Sequence, residues 1–215
     1  MIKIGNNISS FSTYSCQPKT KDELEMIISE RVQCDGFYCD LNDIDVSLIT
    51  NMSGLFYYYD FNGDISKWNV SNVTNMTKMF YYSKFNGDIS NWDVSNVNYM
   101  GEMFYGAAFN NDISKWNVSN VCYMQLMFAF SKFNKDISRW NISNVSDMSY
   151  MFSDSEFNQP IGDWDVSNVK DMSYLFKMSE FNKDISKWKI NKNCETRGIF
   201  LKCPIKEEYK PKLPR

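Results

Sequence analysis

The sequence predicts an α/β fold. The expected form is a right-handed solenoid of seven 24-residue coils, with a parallel β-sheet on one face, short helices on the other and an N-terminal capping helix. Three observations carry this. The segment Phe61–Phe80 recurs in register, without insertion, from Phe85, Phe109, Phe133, Phe157 and Phe181. Inside each copy the apolar spacing changes from a period of two to helical spacing. Ahead of the copies stands a helix-start signature. A fixed period in this range means supersecondary units that bury their apolar faces on one another.

The chain divides into three parts: an N-terminal segment and cap (1–36), the seven-copy array (37–204) and a tail (205–215). The cap begins at Thr20-Lys-Asp-Glu23, a capping box with Pro18 just before it. Leu24, Ile27, Ile28 and Val32 form one helical stripe, so a helix is expected over about 20–32. Residues 1–16 fit either a short strand or an arm. The first copy is weak and keeps Asn51-Met-Ser-Gly-Leu-Phe in register with Asn75-Met-Thr-Lys-Met-Phe. The last is degenerate, losing its methionine at Thr196, as a terminal repeat should. The tail holds two prolines and a basic excess and reads as partly disordered.

Within a copy, Ile65, Trp68, Val70 and Val73 have offsets 0, 3, 5 and 8, matching the apolar skeleton of a leucine-rich repeat. Trp68 and Val70 should share the inner face of a short strand, which turns Lys67, Asn69 and Ser71 outward. Met76, Met79 and Phe80 follow i, i+3, i+4, the stripe of a short helix. Ser83, Ala107, Ser131, Ser155 and Ser179 are small, as a tight turn into the next coil requires. A parallel crossover of this kind is right-handed.

Every tryptophan lies in one ladder: Trp68, Trp92, Trp116, Trp140, Trp164 and Trp188. Its strand phase places the indoles in the interior. Asn62, Asn86, Asn110, Asn134, Asn158 and Asn182 form a second ladder, expected to bond turn backbone. Asp40, Asp64, Asp88, Asp112, Asp136 and Asp184 form a third, read as turn-stabilising or solvated carboxylates. Calcium between coils is the alternative for these acids, but the glycine-rich calcium nonapeptide is absent.

Composition narrows the function. Histidine is absent, which removes Ser-His-Asp and Cys-His catalysis and His-ligated zinc. The net charge of −3 gives no basic field for nucleic acid. Phosphate loops, nucleophile elbows and metal-ligand clusters are missing, so no enzyme, metal or cofactor is expected. The six cysteines are scattered without a CxxC pair and fit reduced thiols or disulfides. The start, Met1-Ile-Lys-Ile-Gly, lacks a secretory signal, and no apolar run is long enough to cross a membrane. A monomer without membrane insertion is expected.

The repeat F-N-x-D-I-S-x-W-[ND]-V-S-N-V-x-x-M-x-x-M-F resembles that of the BspA-like leucine-rich-repeat surface proteins over residues 18–204. The Pro-Lys-Thr-Lys-Asp-Glu-Leu segment and Cys39-Asp-Leu-Asn-Asp-Ile-Asp resemble the leader of their arrays. The resemblance implies a protein-binding array, associated in secreted members with attachment to cell surfaces. It supplies no catalytic residues.

Two candidate surfaces follow. The outward strand positions should line a concave face that takes a protein partner. Lys67, Asn91, Lys115, Arg139 and Asp163 form one row, and Asn69, Asp93, Asn117, Asn141 and Asp165 the next. Their charge changes along the array as a mosaic, which suits electrostatic selection. The alternative is an aromatic patch for carbohydrate or a cell surface, made of Tyr57, Tyr58, Tyr81, Tyr82, Tyr105 and Phe130.

Overall fold

The computed structural model describes residues 15–214. Its one α-helix, α1, spans Lys21–Asp35, running three residues past the expected end. Thr20 caps it by accepting from the Glu23 N–H at 3.2 Å. The Glu23 carboxylate reaches back to the Lys19 N–H at 2.7 Å, one residue beyond the reciprocal bond of a capping box. Leu24, Ile28 and Val32 are buried in the core, and Ile27 packs beside them. Arg31 ties α1 to the first coil through Asp43 at 2.9 Å and the Asp40 carbonyl at 3.1 Å. Residues 1–14, on which most of the expected strand or arm falls, lie outside the described residues. Cys16 bridges to Ile44 in parallel.

Beyond α1 the expected elements are absent. The described residues contain no strand and only one further helical segment, a single 3₁₀ turn at Glu207–Tyr209. The parallel β-sheet and the short helices of the leucine-rich-repeat-like fold are therefore corrected. The chain is instead a stack of turn-rich coils joined by isolated parallel bridges between residues 24 apart, from Asn51↔Asn75 to Asp171↔Glu195.

The local chemistry explains both corrections. Where a strand was expected, the two apolar pairs three residues apart are the ends of β-turns. Trp68 N–H donates to Ile65 O at 3.1 Å, and Val73 N–H to Val70 O at 2.9 Å. Between them Asn69 Oδ1 accepts from the Ser71 N–H at 3.2 Å. These local bonds consume groups that a sheet ladder needs. Neighbouring coils are joined here by side chains. The Asn72 amide donates to Ser47 O at 2.8 Å, and the Asn86 N–H donates to Asn62 Oδ1 at 2.7 Å.

Where a helix was expected, the backbone forms three overlapping turns, Met76–Met79, Lys78–Tyr81 and Phe80–Ser83. Lys78 and Tyr82 hold left-handed φ values of 58° and 49°, which no α-helix accommodates. The same two register positions are left-handed in all seven coils, from Gly54 and Tyr58 to Gly198 and Lys202. This alternation aims every second N–H at the next coil. Met76, Lys78, Phe80 and Tyr82 donate to the carbonyls of Tyr99, Gly101, Met103 and Tyr105 at 2.8–3.0 Å. The inter-coil backbone ladder thus runs on the face assigned to helices.

The core is a set of aromatic columns. Phe56, Phe80, Phe104, Phe128, Phe152 and Phe176 stack at 5.4–5.9 Å between ring centroids. A second phenylalanine column, Phe61 to Phe181, stacks at 6.2–6.3 Å. The indoles are interior, as their phase required, and no tryptophan is more than 4% exposed. Ser83, Ala107, Ser131, Ser155 and Ser179 are buried at the turn into the next coil. The tail is packed rather than loose. Ile205 and Pro211 are buried, and Lys206 N–H takes the next rung of the asparagine ladder on Asn182 Oδ1 at 3.1 Å.

Candidate functional site

All ten residues of the two polar rows are exposed and recur every 24 residues on the stack. Each flanks a buried tryptophan, so the in–out alternation expected of a strand survives without the strand. The rows differ in freedom. In the second, each side-chain oxygen accepts from the backbone N–H two residues on: Asn69 from Ser71, Asp93 from Ser95, Asn117 from Ser119, Asn141 from Ser143 and Asp165 from Ser167, all at 3.1–3.2 Å. The hydroxyl and N–H of Ser95 and Ser167 hold the Asp93 and Asp165 carboxyls below the usual carboxylate range. In the first row, no side chain of Lys67, Asn91, Lys115, Arg139 or Asp163 has a hydrogen-bond or ion-pair partner among the described residues. The second row is therefore held in shape and the first is left to meet solvent or a partner.

The aspartate ladder behaves in the same way. Asp64, Asp88, Asp112, Asp136 and Asp184 accept from the serine N–H two residues on at 2.8–2.9 Å. Those backbone bonds lower the carboxyls of Asp88, Asp112, Asp136 and Asp184. Among the described residues no three Cys, Asp or Glu side chains converge on a point that would hold a metal ion. All six cysteines are free thiols, and burial pushes the Cys194 thiol up to about 11.

The aromatic patch is also formed. Tyr57, Tyr58, Tyr82 and Phe130 are exposed, while Tyr81 and Tyr105 are half-buried. Tyr57, Tyr81 and Tyr105 make one stacked column at 4.9 and 4.6 Å, and Tyr58 stacks on Tyr82 at 5.1 Å. The inner rings thus cover one another's faces. Two further stacked pairs, Tyr99–Tyr123 at 5.2 Å and Tyr150–Tyr174 at 4.8 Å, were not singled out from sequence. The 24-residue spacing within each pair was the signal available.

No helix among the described residues is long and apolar enough to cross a membrane. No curated protein and no solved structure matches the chain. A family model described as "Mycoplasma protein of unknown function, DUF285" matches residues 27–132 and again 108–209, two overlapping hits that together span the whole repeat array. The chain belongs to this repeat family.

Proposed function

We propose that the protein is a non-enzymatic interaction module that presents its first polar row to a protein partner, in a role such as cell-surface attachment. One observation carries this reading. Lys67, Asn91, Lys115, Arg139 and Asp163 are exposed at a fixed interval on a rigid stack, and none is tied to another described side chain. Their identities vary while a tryptophan follows every one and a serine precedes four of the five, so the row can encode selectivity at no cost to the core. The likeness of the repeat to the BspA-like surface proteins supports the attachment role.

The carbohydrate reading of the tyrosines has less support. Sugar rings pack on open aromatic faces, and the stacking of Tyr81 between Tyr57 and Tyr105 covers both of its own.

Capture from cell extracts by the wild-type chain and by Lys67→Glu/Arg139→Glu tests the proposal. The charge-reversed variant should lose a bound protein that Tyr81→Ala/Tyr82→Ala retains. Capture unchanged by charge reversal but lost in the tyrosine variant would move the site to the aromatic patch.

A further inference from the structure

The two ends of the stack leave complementary backbone groups unbonded. At the last full rung, Met172, Tyr174, Phe176 and Met178 donate their N–H groups to Glu195, Arg197, Ile199 and Leu201 at 2.8–2.9 Å. One coil further on, the equivalent N–H groups of Thr196, Gly198, Phe200 and Lys202 have no acceptor among the described residues. At the opposite end the order is reversed. The carbonyls of Asn51, Ser53, Leu55 and Tyr57 correspond to Asn75, Thr77, Met79 and Tyr81, which each accept from the preceding coil. They receive no donor among the described residues.

The two edges also share a shape. Gly198 and Lys202 have φ of 62° and 57°; Gly54 and Tyr58 have 68° and 52°. The edge at 196–202 therefore presents donors in the register that the edge at 51–57 accepts. Among the described residues neither α1 nor the tail bonds to these backbone groups, although the tail's Lys210 Nζ lies 5.6 Å over the Phe200 ring. α1 is anchored at Asp40 and Asp43, and the tail at Asn182 and Ile185. The exposed side chains fit too. In register, Leu201 would stack beside Tyr57 and Lys202 beside Tyr58, all four being exposed.

Charge favours the same pairing. Residues 15–60 carry nine acidic and three basic side chains, whereas 181–214 carry four acidic and nine basic. Opposite fields at the two ends steer unlike ends together and keep like ends apart.

We propose that copies of this chain associate head to tail, the 196–202 edge of one donating to the 51–57 edge of the next. The contact joins two different surfaces, so it does not close on itself as a two-fold dimer does and can extend to a linear series. It continues the internal stack across molecules, in place of the monomer expected from sequence. It is independent of the polar row, which lies elsewhere on each coil.

Sedimentation velocity on the full chain tests this with two edge-blocked variants, Tyr57→Glu/Tyr58→Glu and Leu201→Glu/Lys202→Glu. Circular dichroism melts confirm that each variant is folded. The wild type should show larger species as concentration rises, and fewer of them as salt is added. Each variant alone should be monomeric. An equimolar mixture should give a heterodimer and nothing larger, because only one productive edge pair remains. A wild type that stays monomeric at millimolar concentration, a mixture that stays monomeric, or a variant that still associates alone would each overturn the proposal. An extended segment of another protein binding the open edge, with the wild type itself monomeric, would also overturn it.

Discussion

The indole N–H of Trp116 donates to the backbone carbonyl of Ile89, in the preceding coil, at 3.0 Å. All six tryptophans make the equivalent bond 27 residues back, at 2.9–3.2 Å. Each of these carbonyls already accepts the N–H three residues on within its own turn, and the indole adds a second donor from the next coil. The tryptophan ladder is therefore both core and inter-coil clamp.

Trp116→Phe should be costlier than its lost area alone. The ring's apolar body is largely kept, but the buried Ile89 carbonyl loses one of its two donors and keeps only the Trp92 N–H, at about 0.5–1.5 kcal/mol. Urea unfolding measures this. Phe109→Leu, which orphans no polar group, should differ in cost only through packing.

The left-handed positions carry stored strain. Met178 has φ of 53° and is exposed, so its side chain offers little packing in return. Met178→Gly should stabilise the chain by up to about 1 kcal/mol, because a residue with a Cβ is disfavoured there by about 1–2 kcal/mol. Met178→Ala keeps the Cβ and should give no such gain in the same thermal melts.

Gly106 is needed for a second reason. Its φ is 61°, and a Cβ there would lie 2.5 Å from the Tyr82 ring. Gly106→Ala should destabilise by roughly 1–3 kcal/mol through backbone strain and crowding. In a Tyr82→Ala background the crowding disappears, so the two substitutions should be non-additive in a double-mutant cycle.

These positions show what sequence could and could not disclose. The burial of Ile65, Trp68, Val70 and Val73 was legible because apolar periodicity reports which side faces in. The element type was not. An offset of three fits a β-turn as well as a leucine-rich-repeat skeleton, and i, i+3, i+4 at Met76, Met79 and Phe80 fits three overlapping turns as well as a helix. The cue lay in the glycines. Gly54, Gly106 and Gly198 all fall on left-handed register positions, but other coils place Lys, Glu, Leu, Tyr, Phe, Asp or Met there, which hides the pattern. The rows at 67 and 69 were legible as exposed, because outward phase does not depend on sheet pairing. Their unequal freedom was not, because it depends on turns that only the backbone shows.

Stability should fall at high pH through Tyr105. Burial, with Tyr82 and Tyr81 close by, pushes its phenol up from 10.0 to about 12. The folded state therefore holds this proton more tightly than the unfolded chain. The resulting stability is complete below 10.0 and lost as pH rises toward about 12. Denaturation midpoints across that window should drop in the wild type, and drop less in Tyr105→Phe.

Amide hydrogen exchange tests the central claim most directly, namely that coils pair through the turn face rather than through a sheet beside the tryptophans. The N–H groups of Met100, Glu102, Phe104 and Gly106 donate to the next coil and should be strongly protected. Those of Asp93 and Val94, which have no carbonyl partner, should exchange much faster. Protection concentrated on residues 92–95, with rapid exchange at 100–106, would contradict the account.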